Sequence, residues 1–224
     1  MRRVRAPAAP GVDADLPVRR LTGLGDETEL VALRLETPSL AGAAASWVSV
    51  ERVVVDGGVL DGARLPNLAL TDVAAADSDL AGLRADDAAF VRVRFAGCRL
   101  TGADFGGASL RDVLFDGCRL DLASLRFAEL VRVCFRACDL READFAGAHL
   151  DEVSTPGCDL SRTAFDQARV DGPVDLRGAR LADLRAPGAL RGAVVEPAQL
   201  PELAAALAAT VGLVIVSDDG PERS

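Results

Sequence analysis

The sequence predicts an all-β solenoid, and three observations lead there. Every fifth residue from Leu30 to Val170 comes from almost one alphabet: the 29 positions hold fifteen Leu, seven Phe, three Val, three Ala and one Thr. Two positions before each runs a smaller series, including Ala88, Cys98, Ala103, Ala108, Cys118, Ala123, Cys138 and Cys158. Like residues also recur every twenty, as in Val53, Val73, Val93, Val113, Val133 and Val153. Helices and flat strands have side-chain periods of about 3.6 and 2, so neither repeats every five. A fixed period of this kind marks a stacked repeat architecture. Twenty is four fives, which predicts a coil of four five-residue sides with each coil lying on the last. The large residue and its small partner point inward, and residues twenty apart become vertical neighbours.

Each segment then has a place. Residues 1–20, rich in Arg and Pro, read as a flexible tail. Residues 21–181 form the coils, irregular at first and most regular over 90–170. Ala45, Ala75 and Ala85 stand at large-residue positions there, and Leu33, Leu68 and Leu83 at small ones. Such a swap can conserve core volume. Gly97, Gly102, Gly107, Gly117, Gly147 and Gly157 each lie two after a large residue, where a tight corner needs a permissive backbone. At roughly 4.8 Å per rung, seven coils make a rod about 34 Å long. The register slips by one after Val170, and Leu176 and Leu181 continue it. Residues 182–224 read as a cap, because a solenoid must cover its end rungs. Its helix spans about 197–210: Pro197 suits the first turn, Leu200, Leu203, Leu207 and Val211 share a face, and Gly212 suits the stop. Leu213 to Val216 reads as a short strand before a polar tail.

The units Cys98-Arg99-Leu100-Thr101-Gly102, Ala103-Asp104-Phe105-Gly106-Gly107, Cys138-Asp139-Leu140-Arg141-Glu142 and Ala143-Asp144-Phe145-Ala146-Gly147 resemble the A(D/N)LXX unit of pentapeptide-repeat proteins. The resemblance covers roughly residues 30–181. It implies a right-handed quadrilateral β-helix with a short C-terminal capping helix. It also implies two possible uses: a C-terminal homodimer, and mimicry of duplex DNA toward DNA gyrase or topoisomerase IV, which protects against quinolones.

Composition narrows the function. The net charge of −9 argues against nucleic-acid or anionic-membrane binding, which needs a basic face. The start of the chain has no apolar stretch of the export type, and no run approaches the roughly 18 apolar residues of a membrane span. Five Cys favour a reducing cytoplasm. No constellation of nucleophile, base and orienting group is visible, so the chain reads as a non-enzyme without metal or cofactor.

The candidate sites are therefore surfaces. Val91, Leu114, Val131 and Cys134 face outward on adjacent coils as an apolar patch for a protein partner. Asp104, Asp139, Asp144 and Asp159 are the acids a DNA-mimicking flank would use. Duplex DNA carries one charge per about 1.7 Å, whereas residues 71–170 hold 17 acids and 12 Arg, a net of −5. The outward columns mix signs, which favours a scaffold of unidentified partner over the topoisomerase mimic. The ladder of Cys98, Cys118, Cys138 and Cys158 spreads over roughly 14 Å at the rung spacing. It therefore cannot converge on one zinc ion and reads as buried small side chains. Cys134 and His149, the only His, face outward on different coils and form no dyad.

Overall fold

Five-residue sides require the chain to turn a corner every fifth residue. The computed structural model, which describes residues 4–213, shows that the corner is a residue with positive φ two places after each large inward residue. In one coil these are Arg92 (53°), Gly97 (61°), Gly102 (65°) and Gly107 (68°). Glycine is not required: among the described residues 21 others hold the same conformation. A left-handed L-residue costs roughly 1–2 kcal/mol. Each such corner is offset by a backbone bond to the next coil, as Leu122 N–H makes to the Arg141 carbonyl and Phe127 N–H to the Ala146 carbonyl, both at 2.9 Å.

The strands are β1 (Val18–Arg19), β2 (Glu29–Glu36), β3 (Ser49–Asp56), β4 (Ala69–Ala76), β5 (Ala89–Ala96), β6 (Ser109–Asp116), β7 (Glu129–Arg136), β8 (His149–Ser154), β9 (Arg169–Val170) and β10 (Val174–Asp175). All pair in parallel, in the order β1 through β8 and then β10, with β9 also on β8. From β2 to β8 each residue lies over the one twenty further on, so the valines from Val53 to Val153 form one column. Each of the strands β2 to β7 covers two sides of a coil with a positive-φ corner in its middle. The other two sides meet their neighbours through single bridges, such as Arg99 with Arg119 and Asp104 with Ser124. The result is a four-sided β-helix of about eight coils. The predicted slip after Val170 is a one-residue insertion: Val153 pairs with Val174 and Asp159 with Arg180. Leu176 and Leu181 remain buried.

The core has two textures. Phe95, Phe115 and Phe135 stack with centroids 5.1 and 5.0 Å apart, and Phe90 meets Phe105 edge-on at 5.6 Å. Before Phe90 the large and small residues do exchange, since Ala45, Ala75 and Ala85 are buried together with Leu68 and Leu83. An apolar cavity of about 90 Å³ remains, with Leu40, Leu60, Ala75, Leu80 and Phe95 among its walls.

At the far end, a 3-10 turn (Pro197–Gln199) leads into helix α1 (Leu200–Thr210). The cap closes the last coil with polar groups. Gln199 Nε2 donates to the carbonyls of Leu176 (2.8 Å) and Ala179 (2.6 Å), and the Leu181 N–H donates to the Glu202 carboxylate at 2.5 Å. Of the predicted apolar face only Leu203 is buried; Leu200, Leu207 and Val211 are exposed. Of the strand expected at 213–216, Leu213 is exposed and the rest lies outside the described residues. No described helix is long and apolar enough to cross a membrane.

Candidate functional site on the strand-bearing face

Parallel pairing at a constant register turns the outward residues of β5 to β8 into fixed columns. Val91, Arg111, Val131 and Asp151 make one; Arg94, Leu114, Cys134 and Ser154 make another. Leu114 and Cys134 are thus vertical neighbours, while Arg111 separates Val91 from Val131. All four predicted patch residues are half-buried.

Between these columns runs the corner column, which sequence reasoning did not single out. It reads Arg52, Asp72, Arg92, Asp112, Arg132 and Glu152, with φ between 53° and 58° throughout. Charge alternates at every coil. Arg92 grips Asp72 through two bonds of 2.7 and 2.6 Å, and Arg132 grips Asp112 through two of 2.7 Å. Such forked pairs are the strong form of charge-assisted bond. The Arg92 guanidinium holds the Asp72 carboxyl below its ordinary range, as Arg132 does for Asp112. Reading every twentieth position from Arg52 would have revealed the alternation.

The N-terminal segment lies on this column, where the sequence led us to expect a free tail. Val18 and Arg19 pair with Arg34 and Leu35, and Leu16 is buried. From there the chain runs back over the coils. The Gly11 N–H donates to Asp72 Oδ1 at 2.8 Å, the Ala8 N–H donates to Asp112 Oδ1 at 3.1 Å, and Arg5 Nε reaches Glu152 at 2.8 Å. Asp112 is only 8% exposed. The Arg5 guanidinium lowers the Glu152 pKa. Val4 to Pro7 also form one wall of a groove of about 580 Å³ whose other walls include Cys134, Ser154, Val174 and Val194.

The four predicted acids are occupied. Asp104, Asp139, Asp144 and Asp159 each accept the backbone N–H two residues on, from Gly106, Arg141, Ala146 and Ser161 at 2.8–3.2 Å. This is the turn-forming habit of aspartate, and it gives the D of the repeat a local structural role. Three of them also face arginine: Asp139 pairs with Arg141 (2.6 Å), Asp144 with Arg126 (2.7 Å) and Asp159 with Arg180 (3.9 Å). The Arg141 bonds hold Asp139 below its ordinary pKa.

The cysteine ladder is buried and free of disulfides. Each thiol lies within reach of a carbonyl in the preceding coil, such as Cys118 Sγ to Phe95 (3.4 Å) and Cys158 Sγ to Phe135 (3.2 Å). Hydrogen bonding with Cys118 and then burial push the Cys98 thiol up. His149 Nδ1 lies 2.8 Å from Asp171 Oδ2, in a shallow cleft with the exposed ring of Phe127, Glu129 and Asp151. The structure does not bring His149 together with Cys134. Among the described residues no group of three or more His, Cys, Asp or Glu is placed to hold a metal ion.

Residues 88–165 match the family described as pentapeptide repeat region. No curated protein matches the chain. Among solved structures the chain is similar to trypsin-treated QnrB1, described as a plasmid-mediated fluoroquinolone resistance protein, at 19% identity over 91% of this chain and 100% of that one, TM-score 0.41. It is similar to HetL of Nostoc sp. strain PCC 7120, described as involved in heterocyst differentiation regulation, at 18% identity over 75% and 87%, TM-score 0.37. A pentapeptide repeat protein of the Arabidopsis thaliana thylakoid lumen follows at 21% identity over 56% and 70%, TM-score 0.32. The matched segment coincides with the coils whose core is built of stacked phenylalanines and alanine or cysteine ladders. On its repeat and on that match, residues 88–165 of the chain form a pentapeptide repeat region.

Proposed function

We propose that this protein is a non-catalytic scaffold that binds a protein partner through its strand-bearing face. The observation that carries the proposal is the rigid columns of that face, in which half-buried Leu114 and Cys134 adjoin an alternating charge ladder. A sheet of fixed register holds such side chains without further ordering, and binding that needs little ordering keeps more of its contact energy. The acids that a DNA mimic would display are tied to turn amides and, in three cases, to arginines, so they offer less free negative charge than their number suggests. Free buried thiols fit a reducing compartment.

The test is a titration of purified protein into a gyrase supercoiling assay, with and without a quinolone, beside cross-linking of wild type and Leu114→Arg in host lysate. The scaffold reading expects unchanged supercoiling and a cross-linked partner that Leu114→Arg loses. Inhibition or drug protection at micromolar protein would replace it with the topoisomerase reading.

A further inference from the structure

The N-terminal segment sits on the corner column with a regular period. Moving from Gly11 to Ala8 to Arg5 advances three residues each time, and the acid reached moves from Asp72 to Asp112 to Glu152, two coils each time. Two rungs span about 9.6 Å at about 4.8 Å each. Three residues of polyproline II span about 9.3 Å. The two repeats are therefore commensurate. Burial follows the same period: Val4, Pro7 and Pro10 are half-buried, while Arg5, Ala6, Ala8 and Ala9 are exposed. Every third residue from Val4 to Pro10 is turned toward the rod, and the register is set by acids that recur on alternate coils. The arginines between them, Arg92 and Arg132, hold those acids in place.

The seating is also light. Over residues 4–11 its polar contacts are two backbone bonds and one ion pair whose arginine side chain is 70% exposed, and its apolar residues Val4, Pro7 and Pro10 are only half-buried. The exposed pair contributes little, so the two amide bonds to carboxylates carry most of the polar hold. Proline keeps such a segment extended before it docks, which lowers the ordering cost. A segment held this way can be exchanged for another of the same chemistry.

We propose that the alternating corner column is a docking track for an extended, basic, proline-bearing segment of a partner protein, with residues 4–11 of this chain as its resident occupant. The ligand it fits has an arginine, then free backbone N–H groups three and six residues later, with prolines at intervening positions that face the rod. Specificity comes from acids at a fixed spacing rather than from the aromatic groove that usually receives proline-rich peptides. The proposal deepens the scaffold reading and rests on it: the partner's segment displaces the resident one.

The experiment uses the full chain and a fluorescent peptide spanning Val4–Asp13. Amide exchange on the wild type comes first: Ala8 and Gly11 should exchange more slowly than Ala6 and Ala9. Equal exchange at all four would overturn the track. The full-chain variant Arg5→Glu with Ala8→Pro loosens the resident segment without touching the core, and a retained melting transition checks its fold. The peptide should bind this variant about tenfold or more tightly than wild type, where the tethered occupant competes at high effective concentration. An Ala8→Pro peptide, lacking the donor to Asp112, should lose binding, whereas Ala9→Pro should keep it. No binding to the loosened variant, or equal binding of the two proline peptides, would overturn the proposal. A cross-linked partner that binds wild type and loosened variant equally would overturn the track and leave the scaffold reading standing.

Discussion

The coils before Phe90 and those after it share one backbone geometry but are filled differently. After Phe90 the large column at 95, 115 and 135 is a stack of rings in close contact, and Leu100, Leu110, Leu120, Leu130 and Leu140 are fully buried. Before it the same column reads Leu35, Val55 and Ala75, and a cavity of about 90 Å³ remains. Inter-coil hydrogen bonds run through both halves alike. The backbone ladder therefore sets the shape, and side-chain volume sets how tightly each half is packed. A void removes dispersion partners from the atoms around it, so the early coils hold their shape with less packing energy.

Four measurements sharpen or break this contrast. The largest effect is expected from Phe135→Asp, which buries a carboxylate within the ring stack; circular dichroism and thermal melting should show loss of the cooperative fold. An unchanged melting temperature would refute the inward placement of Phe135. Next comes a matched pair in one column. Leu130→Ala, in the tight half, should cost about 3–5 kcal/mol in urea unfolding, and Leu70→Ala, which borders the cavity, about 2–3 kcal/mol. Equal costs would show that the cavity does not loosen its walls. Third, Ala75→Leu should add about 1–2 kcal/mol by filling the void, whereas Ala123→Leu, in a filled small-residue column, should lose about 1–3 kcal/mol by overpacking.

The smallest effect is electrostatic. Asp72, Asp112, Asp116, Asp139, Glu152 and Asp175 have carboxyl pKa values held down, each chiefly by a hydrogen-bonded arginine. A depressed folded pKa gives stability that is present above the unfolded value of about 4 and lost as pH falls through the folded value. Melting temperature should therefore drop on acidification below about pH 4. Five of the six lie beyond residue 100, so acid should loosen the better-packed half first, as amide exchange would show. Asp112→Asn, at the least exposed of these pairs, should flatten that pH dependence most.

Much of this was legible in the residues. The five-residue period gave the coil, the twenty-residue columns gave its stacking, and the slip after Val170 marked the one-residue insertion. The sole Phe outside the register, Phe127, is 62% exposed, as its position predicts. Other features were misjudged for identifiable reasons. Asp104 and Asp144 looked like free surface charge because a turn contact to an amide two residues on leaves no signature in composition. Glycine looked necessary at the corners, yet Arg92, Leu122 and Phe127 hold the same φ, because inter-coil bonds offset the local cost. Exchanging Leu and Ala looked neutral in volume, yet Leu68, Ala75 and Leu83 line the cavity that remains.

Periodicity determined the coil, its register and its inward residues, because each of these depends on neighbours at constant spacing along the chain. The course of residues 4–17 depends instead on groups 61, 104 and 147 residues away. Nothing local to Val4-Arg5-Ala6-Pro7 tells of acids about 9.6 Å apart. That spacing exists only once the coils are stacked, which is why folding alone decided that an Arg- and Pro-rich end becomes a strap along the rod.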